Sequence, residues 1–122
     1  MRNALPVTGA YLAVAFADGR YDTSEENRFL ATIANRPELA CVSTMALQSA
    51  YNDLVEDFRR DYSATRKRVL EAIAVVREDV KVAEAVKVAA RGAIVADMKV
   101  NLQEEFVLNE IAKALGLSAG AV

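Results

Sequence analysis

Two acid-rich turns carry the residues of this chain that could do chemistry. Both turns keep a leading Asp, an Asp or Asn four positions later, and a pair of glutamates three positions beyond that. Clustered carboxylate oxygens at a fixed spacing are the ligands that hard divalent cations prefer. The first turn reads Ala17-Asp18-Gly19-Arg20-Tyr21-Asp22-Thr23-Ser24-Glu25-Glu26, and the second reads Ala96-Asp97-Met98-Lys99-Val100-Asn101-Leu102-Gln103-Glu104-Glu105.

The first turn has the oxygens for a weak cation site. Asp18, Asp22, Glu25 and Glu26 can place carboxylates around one turn, and the backbone near Gly19 can add carbonyl oxygens. Calcium takes about six to eight oxygens and magnesium takes an octahedral set that usually retains waters, so these side chains with solvent predict weak binding. The spacing differs from that of an EF-hand loop, which disfavours a tight calcium sensor.

Helix capping is the competing interpretation of the same residues. An Asp or Asn followed three residues later by Glu is a capping box, and a further Glu beside it favours the positive end of the helix dipole. Each cap typically contributes about 1 kcal/mol, so the pattern needs no ligand. Both interpretations stay open for Asp22, Glu25 and Glu26 in the first turn and for Asn101, Glu104 and Glu105 in the second.

The elements that position these turns are predicted to be helices. The chain has 122 residues, 53% of them hydrophobic, with no Trp and two Pro, which favours one all-α domain over sheet or disorder. Apolar residues recur at helical spacing in six segments. The first helix is predicted to run to about Ala17, the second to stop before Pro37 and the third to be capped by Ser43 or Thr44. The fourth is predicted to start at Ser63, the fifth to be capped by Asp79 and the sixth to be ended by Gly116.

These segments predict a compact bundle of about six helices built from two pseudo-symmetric helix-turn-helix units. Each unit would present its apolar face to the other, so residues 1–122 form a single domain in which both turns are neighbours. We expect residues 118–122 to fray. The apolar stretch from Leu5 to Ala17 imitates a secretory signal, but a similar run from Gly92 to Ala96 precedes the second turn, so it is expected to be structural.

Charge and residue usage exclude several function classes. The net charge of −2 and the pI of about 5.2 argue against nucleic-acid binding. The chain has no His and a single Cys41, which disfavours redox, zinc and acid/base chemistry and fits a reducing cytoplasm. Cys41 lies among apolar residues, which predicts a buried, inert thiol. No apolar run reaches the ~18 residues that span a bilayer, so direct membrane insertion is not expected.

One basic cluster stands apart from the acidic turns. It flanks the junction of the third and fourth predicted helices, and it is either a solvated helix end or a patch for an anion or a protein partner. Its members are Arg59, Arg60, Arg66, Lys67 and Arg68.

The chain resembles the TerB-like tellurite-resistance domain family. The resemblance lies in Ala17-Asp18-Gly19 with Asp22 and Glu25-Glu26, in Ala96-Asp97 with Glu104-Glu105, and in Ile111-Ala112-Lys113-Ala114-Leu115-Gly116-Leu117-Ser118. It covers about residues 7–118, although the middle third matches only as generic helix.

The resemblance implies an all-helical, non-enzymatic stress-response domain that chelates a divalent cation, calcium or magnesium, and that often works beside membrane-associated protein partners. The ligands it implies are Asp18, Asp22, Glu25, Glu26, Asp97, Glu104 and Glu105. Met98 stands where the family has Gly, Lys99 adds a positive charge and Asn101 replaces a common acid, so the second turn is expected to bind less well. The alternative function is an interaction scaffold without metal, in which the acidic turns only cap helices.

Overall fold

The computed structural model describes residues 3–17, 19, 21, 24–33, 35–95 and 102–117, with the side chains of residues 24, 25, 32, 33 and 95 outside the description. All regular structure within these residues is helical, which confirms the all-α prediction. Six α-helices follow one another, again as predicted. They are α1 (Ala4–Ala15), α2 (Ser24–Arg28, continued by a π-helical turn at Phe29–Ile33), α3 (Thr44–Arg60), α4 (Tyr62–Val76), α5 (Val80–Val95) and α6 (Leu102–Ala114), with a 3-10 turn at Pro37–Leu39 between α2 and α3.

Helix α1 forms the centre of the bundle. Its residues from Pro6 to Ala15 are all buried, and it contacts α3, α4, α5 and α6. A helix that is buried on every side belongs inside a core, whereas the sequence predicted that each helix-turn-helix unit presents one apolar face to the other. The most extensive contact of α1 is with α5, the helix that leads to the second acidic turn. The twofold relation between the two halves stays a prediction.

Helix ends follow the local signals in most places. Ser43 accepts a hydrogen bond from the backbone N–H of Ala46 at 3.1 Å, and Asp79 accepts one from Lys81 at 3.1 Å. Gly116 has φ +79°, its N–H donates to the carbonyl of Lys113 at 3.0 Å, and the N–H of Leu117 donates to the carbonyl of Ala112 at 2.8 Å. This closing pair of bonds is a Schellman motif, which confirms Gly116 as the residue that ends α6.

The predicted start of α4 at Ser63 is wrong. Asp61 is extended and accepts a hydrogen bond from the N–H of Ala64 at 3.1 Å, so the helix begins at Tyr62. Asp and Ser cap equally well, and local sequence does not choose between them. Tyr62 decides the choice, because its hydroxyl donates to the carbonyl of Ala13 in α1 at 2.7 Å from the first helical position.

The segment before Pro37 is irregular where one regular helix was predicted. After α2 the backbone widens into a π-helical turn, and the Asn35 side chain donates to the carbonyls of Leu30 at 3.3 Å and Ala31 at 3.1 Å. These bonds satisfy carbonyls that the end of a helix leaves without backbone partners. The chain then turns through Pro37, consistent with the predicted stop before that residue.

Cys41 contradicts the expectation of a buried thiol, since its side chain is exposed. Its neighbours Leu39 and Val42 occupy the buried positions of this connection instead. In the short turn that follows the 3-10 segment, successive side chains point in different directions, and only some of them can reach the core.

Candidate cation site at the two acidic turns

The structure describes only part of the predicted ligand set. Asp18, Asp22 and Asp97 lie outside the described residues, as does the side chain of Glu25. Among the three remaining candidates, Glu26 is half-buried, Glu104 is buried with 6% exposure and Glu105 is exposed. Asn101, the expected cap of α6, also lies outside the described residues.

The first acidic turn begins where α1 ends. The N–H of Ala17 donates to the carbonyl of Val14 at 3.1 Å, and the N–H of Gly19 donates to that of Phe16 at 2.9 Å. Gly19 has φ +76°, a left-handed conformation that costs Gly little. Helix α1 therefore ends two residues earlier than the predicted end near Ala17, and Gly19 follows in the turn.

Tyr21 attaches this turn to the core. Its ring stacks on that of Phe16 with 4.2 Å between centroids and 3° between planes. Its hydroxyl lies 2.6 Å from that of Tyr51 on α3, within hydrogen-bond distance. The guanidinium of Arg59 lies 5.7 Å from the Tyr21 ring centroid, in cation–π range. The described residues of the turn are thus held by the packed aromatics beneath them.

Described residues of the two acidic turns line one surface depression of about 280 Å³. Ala17, the first residue of the first turn, lines it together with Leu102 and Gln103 of the second turn. These described residues of the two turns therefore lie close together, while the positions of Asp18, Asp22 and Asp97 stay a prediction. The depression is completed by Tyr62, Arg66, Phe106 and Val107.

Arg66 supplies positive charge at this depression. Its Nε lies 3.4 Å from Oε1 of Glu110, and its guanidinium lies 5.5 Å from the Tyr62 ring centroid and 5.7 Å from that of Phe106. The sequence assigned Arg66 only to the basic cluster. Its position between two rings and a carboxylate makes it a link between α4 and α6, a role that residue type alone did not reveal.

The rest of the basic cluster divides into structural and exposed members. Arg68 of α4 pairs with Asp57 of α3 at 2.7 Å, which joins these two helices, and Arg59 of α3 lies over Tyr21, which joins α3 to the first acidic turn. The side chain of Arg60 is 77% exposed and lies 3.9 Å from Asp57, while Lys67 is exposed. Arg60 and Lys67 are the members most accessible to a partner.

Tyr62 is a titratable group at the floor of this region. Burial raises its pKa to about 12, and the nearby Arg66 guanidinium partly opposes that rise. The neutral phenol donates to the Ala13 carbonyl, which a phenolate would be unable to do. The folded state therefore favours the protonated hydroxyl.

We expect this shift to make stability depend on pH. Because the folded pKa lies above the ordinary value of 10.0, the contribution of Tyr62 is complete below about pH 10 and is lost as pH rises towards 12. Urea unfolding of the wild type and of Tyr62→Phe gives the free energy of unfolding of each protein at each pH. The difference between the two values isolates Tyr62, because the other titrating groups contribute equally to both. The wild type should be more stable at pH 8 by about 1 kcal/mol, and this advantage should shrink above pH 10. A difference that stays constant with pH would contradict the assignment.

Two features of the described residues bear on function. They contain no group of three or more His, Cys, Asp or Glu side chains that could hold a metal ion. Four of the seven candidate carboxylates lie outside the described part of the chain. None of the described helices has both the length and the apolar character needed to cross a membrane.

The fold and the paired turns define a small helical domain of the tellurite-resistance class. The family model described as Tellurite resistance protein TerB matches residues 4–122, nearly the whole chain. The chain belongs to the TerB family. No curated protein and no solved structure gives a significant match.

Proposed function

We propose that this TerB domain binds a divalent cation weakly through its first acidic turn and acts through protein partners, without enzymatic activity, in the cytoplasm. The observation that supports this most directly is the common depression at Ala17, Leu102 and Gln103. It places a residue of the first turn, which carries four acids, near residues of the second turn, which carries Glu104 and Glu105. In this proposal, oxygens from both chain segments bind one calcium or magnesium ion.

Local charge explains why the binding is weak. Arg59 lies over Tyr21 within the first turn, and Arg66 lines the depression, so both oppose a cation. Lys99 adds a third positive charge in the second turn. A tellurite oxyanion would be repelled by the same carboxylates, so a direct role in capturing it is disfavoured. The domain would instead act by presenting a cation-dependent surface to a partner.

Titration with calcium or magnesium, followed by backbone amide NMR, tests the cation proposal. We expect shifts at Gly19, Tyr21 and Glu26 at millimolar metal that saturate and are lost in the double variant Asp18→Asn, Asp22→Asn. Asn caps a helix about as well as Asp, so this variant removes charge and keeps the predicted cap. Asp53→Asn, at an exposed acid on α3, is the matched control and should leave the titration unchanged.

The same experiment decides between the proposal and the scaffold alternative. Absence of saturable shifts in the wild type, or shifts of equal size in the double variant, would contradict cation binding at this turn. The acidic residues would then be helix caps, and the exposed Arg60 and Lys67 would become the first surface to examine for partner binding.

A further inference from the structure

Helix α6 exposes an apolar edge that the acidic turns do not explain. Leu102 is 81% exposed, Phe106 57% and Leu117 39%, although each is a large hydrophobic residue. Their spacing places them along one side of the helix and its terminal turn. Asn109, Glu110 and Lys113 lie on the same side. We refer to these six residues as the α6 face.

A groove runs beside this face. Leu70 of α4 and Ala114 of α6 form its apolar floor, and the residues of the α6 face from Phe106 to Leu117 form its side. Its volume is about 560 Å³. Leu102, the most exposed apolar side chain of the face, lies beyond the other end of the groove, where it borders the neighbouring depression. The face therefore has a protruding apolar side chain at one end and an apolar recess at the other.

We propose that the α6 face binds the α6 face of a second copy of this chain, with the two helices antiparallel about a twofold axis. A twofold interface must be complementary to itself, and this face meets that condition. With the axis between Asn109 and Glu110, Leu102 of each copy enters the groove of the other beside Leu117. Phe106 then lies against Lys113 of the second copy, and Asn109 lies against Glu110 of the second copy.

The charges of the face favour a second copy over a strongly charged partner. Antiparallel pairing sets Lys113 beside the Phe106 ring and Glu110 beside the Asn109 amide, while Arg66, which lies 5.7 Å from the Phe106 centroid, is balanced by Glu110. Glu110 is already paired with Arg66 at 3.4 Å, which reduces its net charge at the interface. A purely basic or purely acidic segment would meet either Lys113 or Glu110 as a like charge.

The size of the face indicates a reversible dimer. A standard stable interface buries about 800 Å² on each partner, and one face of a short helix offers less. The proposal concerns a surface separate from the carboxylates of the first turn, so failure of cation binding would leave it intact. We therefore expect a monomer–dimer equilibrium that depends on protein concentration.

Sedimentation equilibrium of the full chain tests this proposal. The wild type should change from monomer to dimer as its concentration is raised to roughly 1 mM, and Leu102→Lys and Phe106→Lys should remain monomeric. Val75→Lys and Met45→Lys are matched controls, because these residues are 82% and 83% exposed and lie away from the face. A monomeric wild type throughout, or a dimer that survives both α6 substitutions, would overturn the proposal.

Disulfide trapping tests the antiparallel alignment of the two α6 helices in the proposed dimer. In a Cys41→Ser background, chains carrying Leu102→Cys are mixed with chains carrying Leu117→Cys and then oxidised. The mixture should give cross-linked heterodimers in clear excess over the homodimers that either chain forms alone. Equal yields from the mixture and from the single variants would overturn the register, and circular dichroism on all variants checks that each one is folded.

Discussion

Phe29→Ala is expected to lower the free energy of unfolding by about 3 to 5 kcal/mol, the cost of removing a buried aromatic side chain. Phe29 is fully buried, and its ring lies 4.8 Å from Tyr11 and 5.3 Å from Tyr51 between centroids. It therefore connects the π-helical turn after α2 to both α1 and α3. Loss of the ring leaves a cavity that three separate segments would have to move to fill.

Chemical denaturation measures this effect, and amide hydrogen exchange locates it. Protection should fall most in residues 24–33 and least in α5, because Phe29 anchors the first of these segments. Phe29→Leu keeps an apolar side chain and should cost clearly less than Phe29→Ala. If Phe29→Ala lowers the free energy of unfolding by less than about 1 kcal/mol, residues 24–33 are held in place by other contacts.

Gly9→Ala is expected to destabilise the protein by about 1 to 3 kcal/mol, even though Ala is the better helix former. A methyl group at Gly9 would lie 2.6 Å and 2.7 Å from the two methyl carbons of Val69. Val69 is fully buried on α4, and its branched side chain has little rotational freedom. The two helices would have to separate at the centre of the core.

A double-mutant cycle with Val69→Ala isolates this contact. Val69→Ala alone should reduce stability by opening a cavity, but it also removes the two methyl carbons closest to the new side chain and leaves only the Cβ of residue 69, at 3.2 Å. In that background Gly9→Ala should be neutral or stabilising, with a coupling free energy of at least about 1 kcal/mol. Strictly additive effects would rule out close packing of Val69 as the reason for Gly at this position.

Much of the fold could be predicted because its signals are local. The caps by Ser43 and Asp79 and the left-handed conformations of Gly19 and Gly116 depend on residues a few positions apart. The inward positions of α3, such as Leu47 and Tyr51, follow from helical periodicity in the same way. The family resemblance could also be recognised at this level, since its motifs are short runs around the turns, and the family match bears it out.

The candidate site was less predictable because it depends on contacts between distant segments. Residue types and spacing identified the acidic turns, but only the packing of α4 against α6 shows that Arg66 is held between Tyr62, Phe106 and Glu110. The meeting of Ala17 with Leu102 follows from how α1 and α6 pack, and no local pattern encodes it. The predicted ligands Asp18, Asp22 and Asp97 remain predictions from the sequence.

The sequence by itself determined the helices, most of their ends and the two acid-rich turns, because periodicity, capping and glycine conformation act within a few residues. Only the tertiary structure decided that α1 is buried on every side, that Cys41 is exposed and that α4 starts at Tyr62. The physical reason is the same in each case. Burial and partner choice depend on which surfaces the other helices cover, and those helices lie far away along the chain.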